Sequence, residues 1–290
     1  EYALRSHRLG AIYHSTPALH DAPRAFVRDP AYEVYAEAQS TRPMVLYTAT
    51  VDGQLHAFKV VPNDANDPNK VSGENNEIWS FIPPFVLPSL ITQYPGTPQI
   101  LLDGRPVVKD VVFQRDLTDA QDGNSPWRSV LVAGGYLGGG FYYALDVTDP
   151  YDPKFLWQLS SDRGGNPLFS GVSGTPAIAT VAMKDGNDVV ETAVAILPGG
   201  EGRRIPNCTN ARNQAVSNHI DGPYQPRASV GCWQDGPAQS LTIVRLSDGE
   251  VLRTFRRALG DGPASLDGAL VTTGVFDSPI TGTPVPFPGG

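Results

Sequence analysis

The apolar residues of this chain come in short runs, each bounded by glycine, proline, asparagine or aspartate. Three of them have matching composition: Val45-Leu46-Tyr47-Thr48-Ala49, Ser129-Val130-Leu131-Val132-Ala133 and Thr192-Ala193-Val194-Ala195-Ile196-Leu197. Five or six residues rich in β-branched and aromatic side chains, closed by turn residues, predict strands rather than helices. Each run is followed by another strand-like segment: Gln54 to Val60, Phe141 to Val147 and Leu241 to Leu246. A further one comes around Ile78-Trp79-Ser80-Phe81, Phe155-Leu156-Trp157-Gln158 and Val251-Leu252-Arg253-Thr254-Phe255. Ahead of each set stands a small-residue, Thr/Arg, Pro, apolar signature: Ser15-Thr16-Pro17-Ala18, Gly104-Arg105-Pro106-Val107 and Gly174-Thr175-Pro176-Ala177. It returns once more at Gly282-Thr283-Pro284-Val285.

Each unit therefore predicts four short strands, the first opened by a proline that needs no ladder donor at that place. Repeated four-stranded sheets arranged radially make a β-propeller, whose blades take about 40–50 residues. The signatures are spaced more widely, so the surplus must be insertions: Ala22 to Ser40, Pro62 to Asn76, Pro83 to Leu102 and Pro198 to Pro237. The expected architecture is all-β: a partial β-propeller of about three blades and the start of a fourth, with long inter-strand insertions. As one domain over residues 1–290, its blades fall near 8–82, 104–160 and 170–257, with the next beginning at 275–290. A sandwich of hairpins is the alternative, but it leaves the repeated order of strand types unexplained. Asp29-Pro30 ahead of residues 31–38 predicts a short capped helix, and residues 84–91 predict another turn or two. Three blades are few for a free-standing propeller, so the chain is expected to be a fragment of a larger one, without the N-terminal region of the full protein.

Composition agrees with the strand pattern. The 290 residues include 30 glycines and 27 prolines, about a fifth of the chain. Asp-Gly, a preferred hairpin pair, occurs nine times, beginning at Asp52, Asp103, Asp122, Asp185, Asp221, Asp235, Asp248, Asp261 and Asp267. A formal net charge of −8 and no polybasic stretch argue against a nucleic-acid partner held through its phosphates. No apolar run reaches the roughly 18 residues of a membrane-spanning helix, and the charged first ten residues do not read as a secretion signal.

Cys208 and Cys232 are the two cysteines, and both lie in the polar insertion between Pro198 and Pro237. Two cysteines without a clustered histidine are too few for zinc. A disulfide closing this loop would remove roughly 3–4 kcal/mol of unfolded-chain entropy and would place the protein in an oxidising compartment. Two free thiols are the other reading.

Four ordered blocks carry a family resemblance. Arg8-Leu9-Gly10-Ala11-Ile12-Tyr13-His14-Ser15-Thr16-Pro17 is similar to the "LGDIxHSTP" entry motif of the PilY1/PilC family of type IV pilus tip and biogenesis proteins. Asp52 to Phe58 resembles its "NDGMLHAF", Glu77 to Pro84 its "ELWAFIPP", and Gly138 to Pro150 its "GGRGYYALDVTDP". Together the blocks cover roughly residues 8–158. The resemblance implies a non-enzymatic protein whose C-terminal propeller supports pilus assembly, surface adhesion and twitching motility. Its implied partners are minor pilins of the pilus tip complex and a host or abiotic surface. The implied location is extracellular, at the pilus tip or the outer membrane, after export through the periplasm. An N-terminal region, often von Willebrand A-like, is implied outside this segment. Ala11 stands where the family usually has Asp. The family's calcium loop, alternating aspartates ahead of "DxxGxLWR", has no good counterpart in these residues, so calcium is an expectation for the full-length protein and no cofactor is expected in this segment.

Other chemistry has weaker signals. Asp185, Asn187, Asp188 and Glu191 offer oxygen ligands of the kind calcium takes, but without the alternating spacing, and an Asp-Gly hairpin accounts for them. The glycine run from Gly134 to Gly140 precedes an aromatic strand rather than the helix that a phosphate loop needs; it predicts a wide strand-to-strand turn. The five histidines form no short metal pair, and His14 and His56 are expected inside strands as hydrogen-bonded structural residues. No Gly-x-Ser-x-Gly elbow occurs, and no catalytic residue is assigned. Three functions remain: a pilus-associated binding protein whose contacts lie on the Pro198 to Pro237 loop, a quinoprotein-dehydrogenase-like propeller enzyme, and a generic extracellular interaction scaffold.

Overall fold

The structure is a computed structural model. It describes residues 9–60, 62–64, 67–71, 76–93, 99–117, 126–202, 208–209, 215–216, 236–256, 270–273, 276 and 279–286. The first sheet contains β1 (Ala18–His20), β2 (Val45–Thr50) and β3 (Gln54–Lys59). A separate hairpin of β4 (Pro62–Asp64) and β5 (Asp67–Val71) precedes its last strand, β6 (Glu77–Phe81). The second sheet contains β7 (Val107–Val112), β9 (Trp127–Gly134), β10 (Tyr142–Asp146) and β11 (Lys154–Leu159), with the short β8 (Gln114–Asp116) leaving it after β7. The third begins with β12 (Ala177–Asp185) and β13 (Asp188–Pro198). After the two-residue pair β14 (Cys208–Thr209) and β15 (Ala215–Val216), it continues with β16 (Ser240–Arg245), β17 (Val251–Arg256) and β18 (Leu270–Thr273).

In each sheet the four main strands pair antiparallel in chain order, as the repeated units predict. Two strands depart from that plan. β18 adds to β17 in parallel, and β8 pairs with β13 of the third sheet rather than with its own unit. The third sheet is therefore six-stranded. The fourth signature, within residues 279–286, carries no strand. The neighbouring Ile280 is held by the third unit, through Ile280 N–H to Ala238 O at 3.0 Å and Gly200 N–H to Ile280 O at 3.0 Å. The rest of that fourth unit, apart from Phe276, lies outside the described residues.

Helix α1 (Pro30–Ala38) forms where the cap signal predicts it. Asp29 accepts from Ala31 N–H at 2.9 Å, Pro30 begins the helix, and Tyr32 and Tyr35 are buried. Residues 84–86 make a 3-10 turn running into α2 (Leu87–Gln93). The glycine run forms the wide turn between β9 and β10, with a single 3-10 turn at Tyr136–Gly138. Asp52-Gly53, Asp185-Gly186 and Asp248-Gly249 each close a hairpin, and Gly53 takes a φ of 95° there.

The core explains why the middle runs are apolar at every position. Side chains alternate between the two faces of a strand. Leu131, Ala133, Tyr143 and Leu145 join Val45, Tyr47 and Leu55 of the first sheet in one buried cluster. Val130, Val132, Tyr142 and Ala144 join Ile178, Ala195, Leu197 and Val244 of the third sheet in another. The middle strands of the second sheet, β9 and β10, are thus buried on both faces, whereas β16 alternates between buried and half-buried positions.

The signatures fasten one unit to the next. Ser15 Oγ donates to Gly104 O at 2.9 Å and accepts from Ala49 N–H at 2.8 Å. Tyr142, fully buried, donates through its hydroxyl to Pro198 O at 2.7 Å and accepts from Gly174 N–H at 2.8 Å. Asp103-Gly104, read from sequence as one more turn pair, is no hairpin: Asp103 is 1% exposed and Gly104 lies against β9. A Cβ on Gly104 would stand 1.7 Å from the carbonyl oxygen of Gly134, so backbone must move to admit any side chain.

Gly104→Ala is therefore expected to cost about 3 kcal/mol or more in urea unfolding, beyond the usual price of overpacking. Gly165→Ala is the control: at φ 82° with nothing within 4 Å of its Cβ, it should cost only about 1–2 kcal/mol. Equal effects at the two positions would contradict the close-approach reading.

Candidate functional site

The sites expected from sequence separate as follows. Cys208 lies on β14, but Cys232 and so the Cys208–Cys232 pairing lie outside the described residues, as does most of the loop from Pro198 to Pro237. Asp185 and Asp188 are opposed at the β12–β13 hairpin and Asn187 lies in its turn. Glu191, further along β13, is engaged elsewhere: its Oε2 accepts from Arg115 Nη2 at 2.6 Å and Nε at 2.9 Å. Among the described residues, no group of three or more His, Cys, Asp or Glu could hold a metal ion.

Arg115 also donates to Asp29 Oδ2 at 2.7 Å, and Trp127 Nε1 reaches the same oxygen at 3.2 Å. Burial opposes the charge on Asp29, but the hydrogen bonds from Arg115 and Ala31 outweigh it and hold its carboxyl below the usual carboxylate range. One guanidinium thus ties the α1 N-terminus, β8 and β13 together, which accounts for β8 lying on the third sheet.

The feature that sequence reasoning did not find is a pocket of about 230 Å³ where the repeated signatures meet. Arg105, Gly174, Thr175, Gly282 and Thr283, all signature residues, line it together with His14, which immediately precedes the first signature. His14 is not in a strand, as expected from sequence, but in a bend ahead of β1. Its backbone N–H donates to Asp103 Oδ1 at 2.7 Å and its ring Nδ1 lies 2.6 Å from Asp103 Oδ2. Asp103 thereby has both oxygens committed to one residue, and it fixes the imidazole's orientation as carboxylate partners do in histidine sites. The Tyr136 ring meets that imidazole at 5.2 Å in an edge arrangement. Arg105, exposed, is steadied by Nε donating to His14 O at 3.4 Å. The signal that could have located this pocket was the signature's own variable position, Arg or Thr after the small residue. His56, by contrast, is structural as expected, held in β3 by Glu77 Oε1 at 2.5 Å and Thr50 Oγ1 at 3.1 Å.

A second polar cluster has the composition of a hydrolase triad but not its access. Ser129 Oγ donates to Asp110 Oδ1 at 2.6 Å and lies 2.8 Å from His20 Nε2, while Arg42 Nη1 donates to both Ser129 Oγ at 2.8 Å and His20 Nε2 at 2.6 Å. Arg42 Nη2 donates to the Tyr35 hydroxyl at 2.7 Å. Ser129 is 0% exposed, so no substrate carbonyl reaches it. The cluster instead joins β1 and α1 to β7 and β9. Because Arg42 can only donate, His20 Nε2 must accept and the ring is neutral.

Burial, with Arg42 acting in the same sense, holds His20 below its ordinary value near 6.5, against the opposing pull of Asp110 and Asp21. The unfolded chain takes up this proton more readily than the folded one. The stability involved is therefore fully present above the unfolded value, about 6.5, and is lost as pH falls through the lowered folded value. Urea midpoints at pH 8 and pH 5.5 should differ more in the natural protein than in His20→Gln; an equal drop in both would contradict this.

No family model matches the chain. It is 31% identical over 174 residues to the type IV pilus biogenesis factor PilY1 of Pseudomonas aeruginosa strain PAO1, a match covering 56% of this chain and 13% of that protein. It is 34% identical over 172 residues to a PilY1 homolog, also named a type IV pilus biogenesis factor, of Xylella fastidiosa strain Temecula1, covering 56% of this chain and 12% of that protein. A crystal structure of the Pseudomonas aeruginosa PilY1 C-terminal domain is similar at 23% identity and a TM-score of 0.49, over 83% of this chain and 37% of that one. The chain thus spans about an eighth of the length of the curated relatives it matches. It carries a region related to the PilY1 family.

Proposed function

We propose that this chain is part of a type IV pilus-associated protein and acts there by binding rather than by turnover. The observation that carries this is the 31% and 34% identity, over 56% of this chain, to relatives that are themselves named type IV pilus biogenesis factors. The three sheets are read as successive blades of a β-propeller. Their main strands follow chain order, and β7 adjoins both β1 and β12, so that the first strands neighbour one another. On such a frame, contacts are made by long loops held at their ends by rigid sheets. The loop from Pro198 to Pro237 is the largest, starting from the last residue of β13 and returning into the 3-10 turn at Pro237–Gln239. A Cys208–Cys232 disulfide would pre-order it and lower the entropy lost on binding. The partners on this reading are minor pilins of a pilus tip complex and the surface to which the pilus attaches, and the location is extracellular.

Affinity capture of the full-length protein from sheared surface fractions of the source bacterium should recover pilins, and excision of residues 203–235 should reduce surface attachment while leaving thermal unfolding of the sheets unchanged. Recovery without pilins, together with normal pilus number and attachment in a strain lacking the protein, would contradict the reading.

A further inference from the structure

We infer that the pocket at the meeting of the signatures binds a small hydroxylated carboxylate of the size of a single sugar acid. Its chemistry is polar and cationic within an acidic chain. Arg105 is paired with no carboxylate among the described residues, and its planar fork matches a carboxylate bidentately. The Asp103 carboxylate is engaged by His14 through both of its oxygens. Thr175, Thr281 and Thr283, drawn from two different repeats, line the same pocket and supply its hydroxyl-bearing side chains. They suit a ligand that itself carries hydroxyl groups. The volume of about 230 Å³ admits one monosaccharide rather than a chain; pockets for larger organic ligands run from roughly 300 Å³ upward.

The second, independent observation is Tyr136. It is the single non-glycine residue with positive φ among the described residues, at 50°. It lies within a glycine run, Gly134-Gly135-Tyr136-Leu137-Gly138-Gly139-Gly140, where glycine would adopt that conformation without steric cost. The strained backbone is pinned by Tyr136 N–H donating to Ser173 Oγ at 2.8 Å and by Gly139 N–H donating to Tyr136 O at 3.1 Å. What the tyrosine adds over glycine is its ring, which lines the pocket against His14. Strain of this kind clusters at ligand clamps and active sites, which is where this tyrosine stands relative to the pocket.

The inference stands apart from pilus association, because it is tested on purified full-length protein with soluble ligands. Calorimetric or saturation-transfer titration should show glucuronate binding, with glucose and acetate each about tenfold or more weaker. Arg105→Gln should weaken glucuronate by about tenfold or more, the usual effect of losing a charged hydrogen-bond pair. Tyr136→Gly should weaken glucuronate yet raise the thermal midpoint, an outcome that a purely structural tyrosine would not produce. Equal binding of glucose removes the carboxylate from the account, and equal binding of acetate removes the hydroxyls. No effect of Arg105→Gln, or a lowered midpoint in Tyr136→Gly, overturns the site.

Discussion

Burial of the middle strands of the second sheet, β9 and β10, on both faces is the constraint on which the rest of this molecule depends. β9 and β10 carry apolar side chains in both directions, and each direction fills a different core. Neither core exists without that sheet. The first and third sheets therefore take their positions from it, and the segments that precede β7 and β12 are brought to a common place. Sheets that pack through such two-sided strands leave little freedom at their seams, and the seams here are narrow enough to require bare backbone at Gly104.

Polar chemistry follows from the same packing. Burying a polar group among apolar faces costs less when it is paired; the Tyr47 and Tyr143 hydroxyls are buried without a partner among the described residues, whereas the two larger clusters pair theirs in different ways. Arg42, His20, Ser129, Asp110 and Tyr35 close on one another at the seam between the first and second sheets. Arg115 collects carboxylates from α1 and β13. At the signatures Asp103 and His14 satisfy each other, Arg105 is exposed and donates to His14 O, and three threonines line the pocket beside it.

Much of the sheet architecture was legible in the sequence, and particular residues show why. Val45 to Ala49, Ser129 to Ala133 and Thr192 to Leu197 announce strands because runs of that length, bounded by turn residues, suit little else. Asp29-Pro30 announces a helix start through local chemistry alone. By contrast, β8 and β18 are short, and their pairing is decided by distant partners that no local pattern records. Asp103 was hidden because Asp-Gly is also a hairpin pair, and only packing against β9 distinguishes the two uses. The pocket is half visible in sequence: three of the four signatures open a strand, while their Arg/Thr position gains meaning only where separate repeats converge. Tyr136 carried no signal, since a lone aromatic among glycines says nothing of φ.

The repeats converge, placing residues more than a hundred positions apart around one pocket. Nuclear Overhauser contacts between the ring protons of His14 and Tyr136 test this most directly, because the two ring centroids lie 5.2 Å apart and belong to different sheet units. A clear cross-peak between these rings is expected in the folded protein and should be lost in Tyr136→Gly. A folded protein whose His14 ring shows contacts to Tyr13 but none to Tyr136 would contradict it.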